Sequence, residues 1–112
     1  MARLNYLELP VRDREAAKGF YAQAFGWDFS DFGPSYAATV SGDTDIGLDA
    51  DRDAVRQPLP VIEVTDLEAA LAAVAGAGGT ISVPIFAFPG GRRFHFRDMD
   101  GHELAAMQPD AG

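Results

Sequence analysis

Both histidines of this chain lie in one short stretch near its end, FHFRDMDGHEL at 94–104. His95 begins the polar part of the stretch, and Glu103 directly follows His102. Imidazoles and carboxylates are common metal ligands and common acid–base catalysts. The stretch therefore indicates a metal site or an acid–base pair, provided that the fold brings these side chains to one face.

The composition restricts the class of protein that could carry such a site. A chain of 112 residues, 47% of them apolar, is long enough for one compact domain with a core. No apolar run approaches the roughly 20 residues that span a bilayer, and MARLNYLELP lacks the pattern of a signal peptide. Cysteine is absent, which excludes disulfides, thiolate metal ligands and a cysteine nucleophile. We expect a cytoplasmic protein that does not bind membranes.

The net charge of −8 also bears on possible partners. A negative chain repels the phosphate backbone, so we expect no nucleic-acid partner. A cationic ligand would suit this charge, although acidity serves solubility in most acidic proteins.

An internal repeat organises the elements that must position the histidines. A shift of 53 positions aligns 11–26 with 64–79 without a gap, and eight of the sixteen pairs are identical. Two units of this size fill the chain and are too few for a solenoid. The repeat predicts two modules, at about 3–49 and 59–108, joined by a polar linker at about 50–58.

Each module is predicted to be one strand, one helix and three shorter strands. YLELPV and LPVIEV have the composition of strands. Asp13 and Asp66 stand at the N-cap positions of the two helices, and Gly26 and 78–79 end them. The shorter strands are predicted at about 27–32, 35–41, 45–49, 80–86, 92–97 and 102–107. The fold class is thus α+β, with two βαβββ modules in a single domain.

This duplication, with LPVRDREAAKGFYAQAFGW near the start and FRDMDGHEL near the end, resembles the vicinal oxygen chelate superfamily. Glyoxalases, bleomycin-resistance proteins and extradiol dioxygenases belong to it. The resemblance covers nearly the whole chain. It implies a U-shaped concave mixed sheet with the helices outside, a ligand cleft inside, and a homodimer.

Strand alternation predicts which side chains face that cleft. Leu7 and Leu9 should pack under the first helix, which turns Tyr6 and Glu8 to the other face. The repeat carries the same assignment to the first strand of module two. The predicted ligand-binding set is Tyr6, Glu8, Leu59, Val61, Glu63, Arg93 and His95.

The closing hairpin can be assigned a register as well. DMDGH suits a three-residue loop with Gly101 in the left-handed position. This loop pairs His95 with Ala105, Arg97 with Glu103, and Phe96 with Leu104. We therefore expect His95 and Glu103 on the cleft face and His102 at the hairpin end, so that the two histidines do not share a site.

The resemblance implies four metal-ligand positions, which correspond here to Tyr6, Leu59, Ala105 and either Asp49 or, with a register slip, Gly47. Two of these side chains are apolar, whereas a catalytic divalent ion needs at least three protein ligands. We predict neither a metal at this position nor another cofactor. A relocated site formed by Glu8, His95 and Glu103 stays open as an alternative.

Two further stretches have simpler interpretations. The acidic alternation at 43–53 lacks the glycine and the closing glutamate of a calcium loop, so we interpret it as a solvated strand end and linker. The aromatic segment FGWDFSDFGPSY begins a strand at Trp27 and is typical of a core or a dimer interface.

Two functions follow from these observations. The first is a small-molecule-binding protein of the glyoxalase and bleomycin-resistance type, without the usual metal, whose ligand is an organic molecule. The alternative is a lyase, isomerase or dioxygenase-type enzyme. It would use a relocated metal, or an acid–base pair of His95 with Glu8 or Glu103.

Overall fold

Two compact units make up the chain, one formed by Asn5–Leu59 and the other mainly by the residues from Pro60 onward. The computed structural model describes residues 2–51, 53 and 56–111. Its elements are β1 (Arg3–Pro10), α1 (Arg14–Phe25), β2 (Ser30–Phe32), β3 (Tyr36–Ala38), β4 (Asp45–Asp49), β5 (Leu59–Glu63), α2 (Leu67–Gly76), β6 (Thr80–Phe88), β7 (Gly91–Arg97) and β8 (Glu103–Pro109). The predicted α+β class with two βαβββ modules is confirmed.

The two modules share one strand order. In module one the order is β2-β3-β4-β1, and in module two it is β6-β7-β8-β5. The first strand of each module pairs in parallel with the last strand, and the other pairs are antiparallel. The helix is the crossover between the first and second strands of its module, and it packs on its own sheet.

The helix ends repeat in the same way. The side chain of Asp13 accepts a hydrogen bond from the backbone N–H of Ala16, and that of Asp66 accepts one from Ala69. These bonds satisfy N–H groups that the helix itself leaves unpaired. Gly26 ends α1 at φ +73°, where a residue with a Cβ would be strained. The capping predictions are confirmed.

Module two contains the better-developed apolar core. Leu67, Phe94 and Ala106 are almost fully buried and bring together α2, β7 and β8. Phe96 packs against this group, together with the partly buried residues Val64, Ala70, Leu71, Val74, Ile81 and Ile85. Phe94 and Phe96 therefore define the helix face of β7, which leaves the residue between them on the opposite face.

The predicted start of β2 at Trp27 is wrong, because this strand begins at Ser30. The indole of Trp27 stacks on Tyr21 of α1, with ring centroids 5.6 Å apart and planes inclined by 12°. The chain thus folds back on the end of the helix before it joins the sheet. Strand propensity at Trp27 is overridden by this aromatic contact.

The predicted linker is described only in part, and the adjoining strand end differs from the prediction. Residues 52, 54 and 55 of the predicted linker lie outside the described residues. The interpretation of Asp49 as part of a solvated strand end is wrong, since its side chain is buried at the end of β4. In the described part of the chain, neither helix has the length and hydrophobicity needed to cross a membrane.

The turn before β4 depends on one carboxylate, and this makes its stability sensitive to pH. Asp45 accepts hydrogen bonds from the Thr39 hydroxyl (2.7 Å) and from the backbone N–H groups of Ser41 (2.8 Å) and Gly42 (3.1 Å). Burial disfavours the charged form, but these bonds outweigh it and hold the pKa of Asp45 below its ordinary value.

We expect Asp45→Asn to lower the free energy of unfolding by about 1–2 kcal/mol at neutral pH, because an amide accepts these bonds less well. A depressed pKa in the folded state stabilises above the unfolded pKa of about 3.9 and loses that effect as the pH falls further. The difference between the two proteins should therefore shrink below about pH 4. Urea unfolding at several pH values measures it, and a difference that stays constant down to acid pH contradicts the assignment.

Candidate functional site

The β7–β8 hairpin has the predicted register. Arg97 pairs with Glu103, Phe96 with Leu104, and His95 with Ala105. The turn is closed by the carboxylate of Asp98, which accepts from the backbone N–H groups of Asp100 and His102, both at 2.9 Å. These bonds lower the pKa of Asp98, which lies exposed at the turn. His102 is exposed at this turn, and its side chain is remote in register from His95.

His95 lies on the face of β7 opposite α2, and there it meets Glu103. Nδ1 of the imidazole is 3.0 Å from Oε2 of the carboxylate. The other carboxylate oxygen accepts from Arg97 at 3.3 Å, as predicted for this cross-strand pair. The hydroxyl of Ser82 on β6 donates to Oε2 of Glu103 at 3.4 Å. Arg97 and Ser82 thus hold Glu103 in one position against the imidazole.

This arrangement determines how the imidazole can act. An ionised carboxylate only accepts hydrogen bonds, so Nδ1 of His95 carries the proton and Nε2 of the neutral ring is an acceptor. His95 is only 9% exposed, and its Nε2 is buried without a hydrogen-bond partner in the described part of the chain. A buried polar atom without a partner costs free energy unless another molecule satisfies it.

One aromatic ring lies beside the imidazole, and a cation lies beside that ring. The ring of Phe86 lies 5.8 Å from the imidazole of His95, between centroids. The guanidinium of Arg93 lies 5.4 Å from the ring centroids of both Phe86 and Phe88, within the range of cation–π attraction. Module two therefore places the imidazole of His95 next to the ring of Phe86, with the guanidinium of Arg93 beside the same ring.

Module one carries a second polar group on one face of its sheet. The hydroxyls of Tyr6 and Tyr36 form a hydrogen bond, and Tyr36 donates to Oε2 of Glu8 at 3.4 Å. Both hydroxyls lie directly over Gly47, where a Cβ would collide with them. Burial, the hydrogen bond to Tyr6 and the nearby carboxylates raise the pKa of Tyr36, so its hydroxyl stays protonated at neutral pH.

Tyr36 was not among the predicted site residues. It enters the group because β3 and β4 pair in a register that sets Tyr36 opposite Asp49. On the preceding β2–β3 hairpin Asp31 pairs with Ala37 and also binds Lys18 of α1, which turns the neighbouring Tyr36 away from the helix. The SGDTD turn between β3 and β4 was the sequence feature that could have indicated Tyr36. The length of this turn alone, however, does not determine the register of the two strands.

The structure also places the predicted residues of β5 and the proposed relocated metal ligands. Leu59 and Val61 are buried on β5, and Glu63 is half-buried. Val61 lies opposite Ala105, and Glu63 lies opposite Met107. Of the proposed relocated set, His95 and Glu103 come together in module two, whereas Glu8 lies in the sheet of module one.

The four positions that the resemblance equates with metal ligands offer few donor atoms. Leu59 and Ala105 are buried hydrocarbon side chains. The hydroxyl of Tyr6 is engaged with Tyr36, and Oδ1 of Asp49 accepts from the backbone N–H of Asp51 at 2.9 Å. Within residues 2–51, 53 and 56–111, no group of three or more histidine, aspartate and glutamate side chains is arranged to hold a metal ion.

The sequence of the chain matches the model of a known protein family. Residues 3–106 match the model of the Glyoxalase/Bleomycin resistance protein/Dioxygenase superfamily. The chain belongs to this superfamily, and the resemblance seen in its repeat is confirmed. A comparison with curated proteins found no match.

Solved structures agree on the fold. An NAD-dependent benzaldehyde dehydrogenase from Legionella pneumophila is 16% identical with a TM-score of 0.75, covering 95% of this chain and 99% of its own. Methylmalonyl-CoA epimerase from Mycobacterium tuberculosis is 15% identical with a TM-score of 0.72, covering 96% and 88%. The Mn(II)-bound glyoxalase from Novosphingobium aromaticivorans is 21% identical with a TM-score of 0.71, covering 96% of this chain and 40% of its own. At these identities the likeness establishes the fold alone.

Proposed function

We propose that this protein binds a small organic molecule on the face of module two that carries His95, and that it does so without the metal of its metal-dependent relatives. The observation that carries the proposal is the buried Nε2 of His95, which has no hydrogen-bond partner among the residues that the structure describes. A ligand whose polar group forms a hydrogen bond with Nε2 would satisfy this nitrogen and cover the apolar surface beside it.

The chemistry of the site defines the kind of ligand. Because Glu103 holds the proton on Nδ1, Nε2 of the neutral imidazole accepts a hydrogen bond from an O–H or N–H group of the ligand. The ring of Phe86 offers an apolar contact next to this polar one. A planar or apolar organic molecule with one polar group satisfies both requirements.

The absence of metal at the inherited position is part of the proposal. Leu59 and Ala105 supply no oxygen, nitrogen or sulfur atom, so at most two of the four positions could bind an ion. A catalytic site needs at least three protein ligands. Metal analysis of the purified protein tests this, and a stoichiometric divalent ion that is lost in Asp49→Ala would overturn it.

A second candidate function is acid–base catalysis at the same imidazole. The pair of Nδ1 with Glu103 is the arrangement that orients a histidine general base, and Nε2 is the atom that would take a proton from a bound substrate. Binding and catalysis therefore use one site, and they differ in whether the bound molecule is changed. Recovery of an altered molecule after incubation with the protein favours the enzyme.

Binding should depend on His95 and not on His102. We expect His95→Ala to weaken the binding of aromatic fragments by at least about 10-fold, which is the loss of one buried hydrogen bond, and to lower the free energy of unfolding by about 1–3 kcal/mol while the protein stays folded. Ligand-observed NMR with a panel of phenols, aromatic carboxylates and aromatic amines measures this. His102→Ala is the matched control and should bind the panel as the wild type does. Equal losses in the two variants, or none in His95→Ala, would refute the assignment.

Assembly and location are proposed on other grounds. The superfamily resemblance supports a homodimer, and the lack of cysteine is compatible with the reducing cytoplasm. The net charge of −8 argues against a nucleic-acid partner.

A further inference from the structure

Four aromatic residues of module one form a cluster at the end of α1 and on the turn that follows it. Phe20, Tyr21, Phe25 and Trp27 make up this α1 aromatic cluster. Phe20 and Phe25 are each 61% exposed and Trp27 is 39% exposed. No residue of α1 is buried. Large apolar side chains grouped on a surface in this way mark an interaction site more often than single exposed ones do.

The cluster is already assembled in the single chain. The Tyr21 ring lies at its centre, with centroids 5.0 Å from Phe20, 6.3 Å from Phe25 and 5.6 Å from Trp27. The Phe25 and Trp27 centroids are 5.4 Å apart. Rings that support one another lose little conformational freedom when a partner covers them, which favours binding.

The repeat shows that the fold itself does not require these aromatic residues. A shift of 53 positions carries Phe20 to Ala73, Tyr21 to Val74, Phe25 to Gly78 and Trp27 to Thr80. Module two forms the same crossover helix with these small or aliphatic residues. Aromatic residues at these positions are thus specific to module one, and the packing of the helix on its own sheet does not explain them.

Charges of both signs lie along α1 and directly after the cluster. Lys18 lies 2.8 Å from Asp31 and 3.3 Å from Glu15, and Arg14 lies 3.0 Å from Glu15. Asp28 directly follows Trp27. Although the chain as a whole carries −8, two copies can therefore set cations of one against anions of the other around the cluster.

We infer that the α1 aromatic cluster binds the same cluster of a second copy around a twofold axis. Such an interface joins identical surfaces, so a border that carries both signs can pair with itself. At roughly 200 Å² for each aromatic side chain, the exposed ring surface amounts to roughly 300 Å² per copy. A stable interface buries about 800 Å² per partner, with an apolar centre and a polar rim. The cluster supplies the centre and the charged border the rim.

This inference gives a surface to the homodimer proposed above and does not depend on the His95 site. Analytical ultracentrifugation of the full chain tests it with the variants Phe20→Asp and Phe25→Asp. The control is Phe32→Asp, since Phe32 is also an exposed phenylalanine of module one but pairs with Tyr36, away from α1. Circular dichroism confirms that each variant is folded.

We expect a dimeric wild type, a dimeric control, and dissociation constants raised at least about 30-fold in the two cluster variants. Trp27 gives a second readout without any substitution, because it is the only tryptophan. Its emission should move to longer wavelength as the wild type dissociates on dilution. A wild-type dimer that both cluster variants leave intact would place the interface elsewhere. A wild type that is monomeric at high concentration would overturn both the surface and the homodimer.

Discussion

Phe94→Ala should destabilise the protein by about 3–5 kcal/mol, the largest effect that we expect from any single truncation in this chain. Phe94 is fully buried and packs with Leu67 of α2 and Ala106 of β8. Its removal takes apolar surface out of the core and leaves a cavity that the two sheet strands and the helix cannot close without moving. Both terms act in the same direction.

Chemical denaturation measures this loss, and Phe32→Ala is the matched control. The same atoms are removed at Phe32, but this side chain is 52% exposed. We expect the control to change the free energy of unfolding by no more than about 0.5 kcal/mol. If the two variants lose the same stability, the core assigned to module two is wrong.

Gly47→Ala should lower the free energy of unfolding by about 1–3 kcal/mol. A Cβ at this position would occupy the space of the Tyr6 and Tyr36 hydroxyls. The two rings would have to separate, which breaks their hydrogen bond and disturbs the donation from Tyr36 to Glu8. The absence of a side chain at Gly47 is thus the condition for the polar group of module one.

Gly19→Ala separates this steric effect from the general effect of replacing glycine. Gly19 lies inside α1, where a Cβ would meet no heavy atom within 4 Å. Alanine should stabilise this position by about 0.5–1 kcal/mol, because it restricts the unfolded chain and favours the helix. Thermal unfolding compares the two variants. A Gly47→Ala protein as stable as the wild type would show that the tyrosines do not need this space.

The parts of the fold that were predictable are those determined by local chemistry. Asp13 and Asp66 were recognisable as N-caps because each precedes an amphipathic or alanine-rich segment at the same place in the repeat. The β7–β8 register was predictable because Gly101 limits the turn and because only one register sets Phe96 opposite Leu104.

The parts that were missed depend on contacts between distant residues. Tyr36 and Gly47 lie in short strands with weak alternation, and only the pairing of β3 with β4 brings them together. Trp27 has a high strand propensity, but its indole is held by Tyr21 of the preceding helix. The exposure of the α1 aromatic cluster could not be predicted either, since an aromatic stripe on a helix usually indicates a core contact.

The most direct test of the proposed function is a long-range ¹H–¹⁵N NMR spectrum of the two imidazoles during addition of an aromatic fragment that binds. We expect one ring, His95, with its proton fixed on Nδ1 and with an Nε2 resonance that moves as the fragment binds. His102, which is exposed at the hairpin turn, should remain a mixture of tautomers and should not respond. A His95 ring that carries its proton on Nε2, or whose resonances stay unchanged while the fragment binds, would contradict the account.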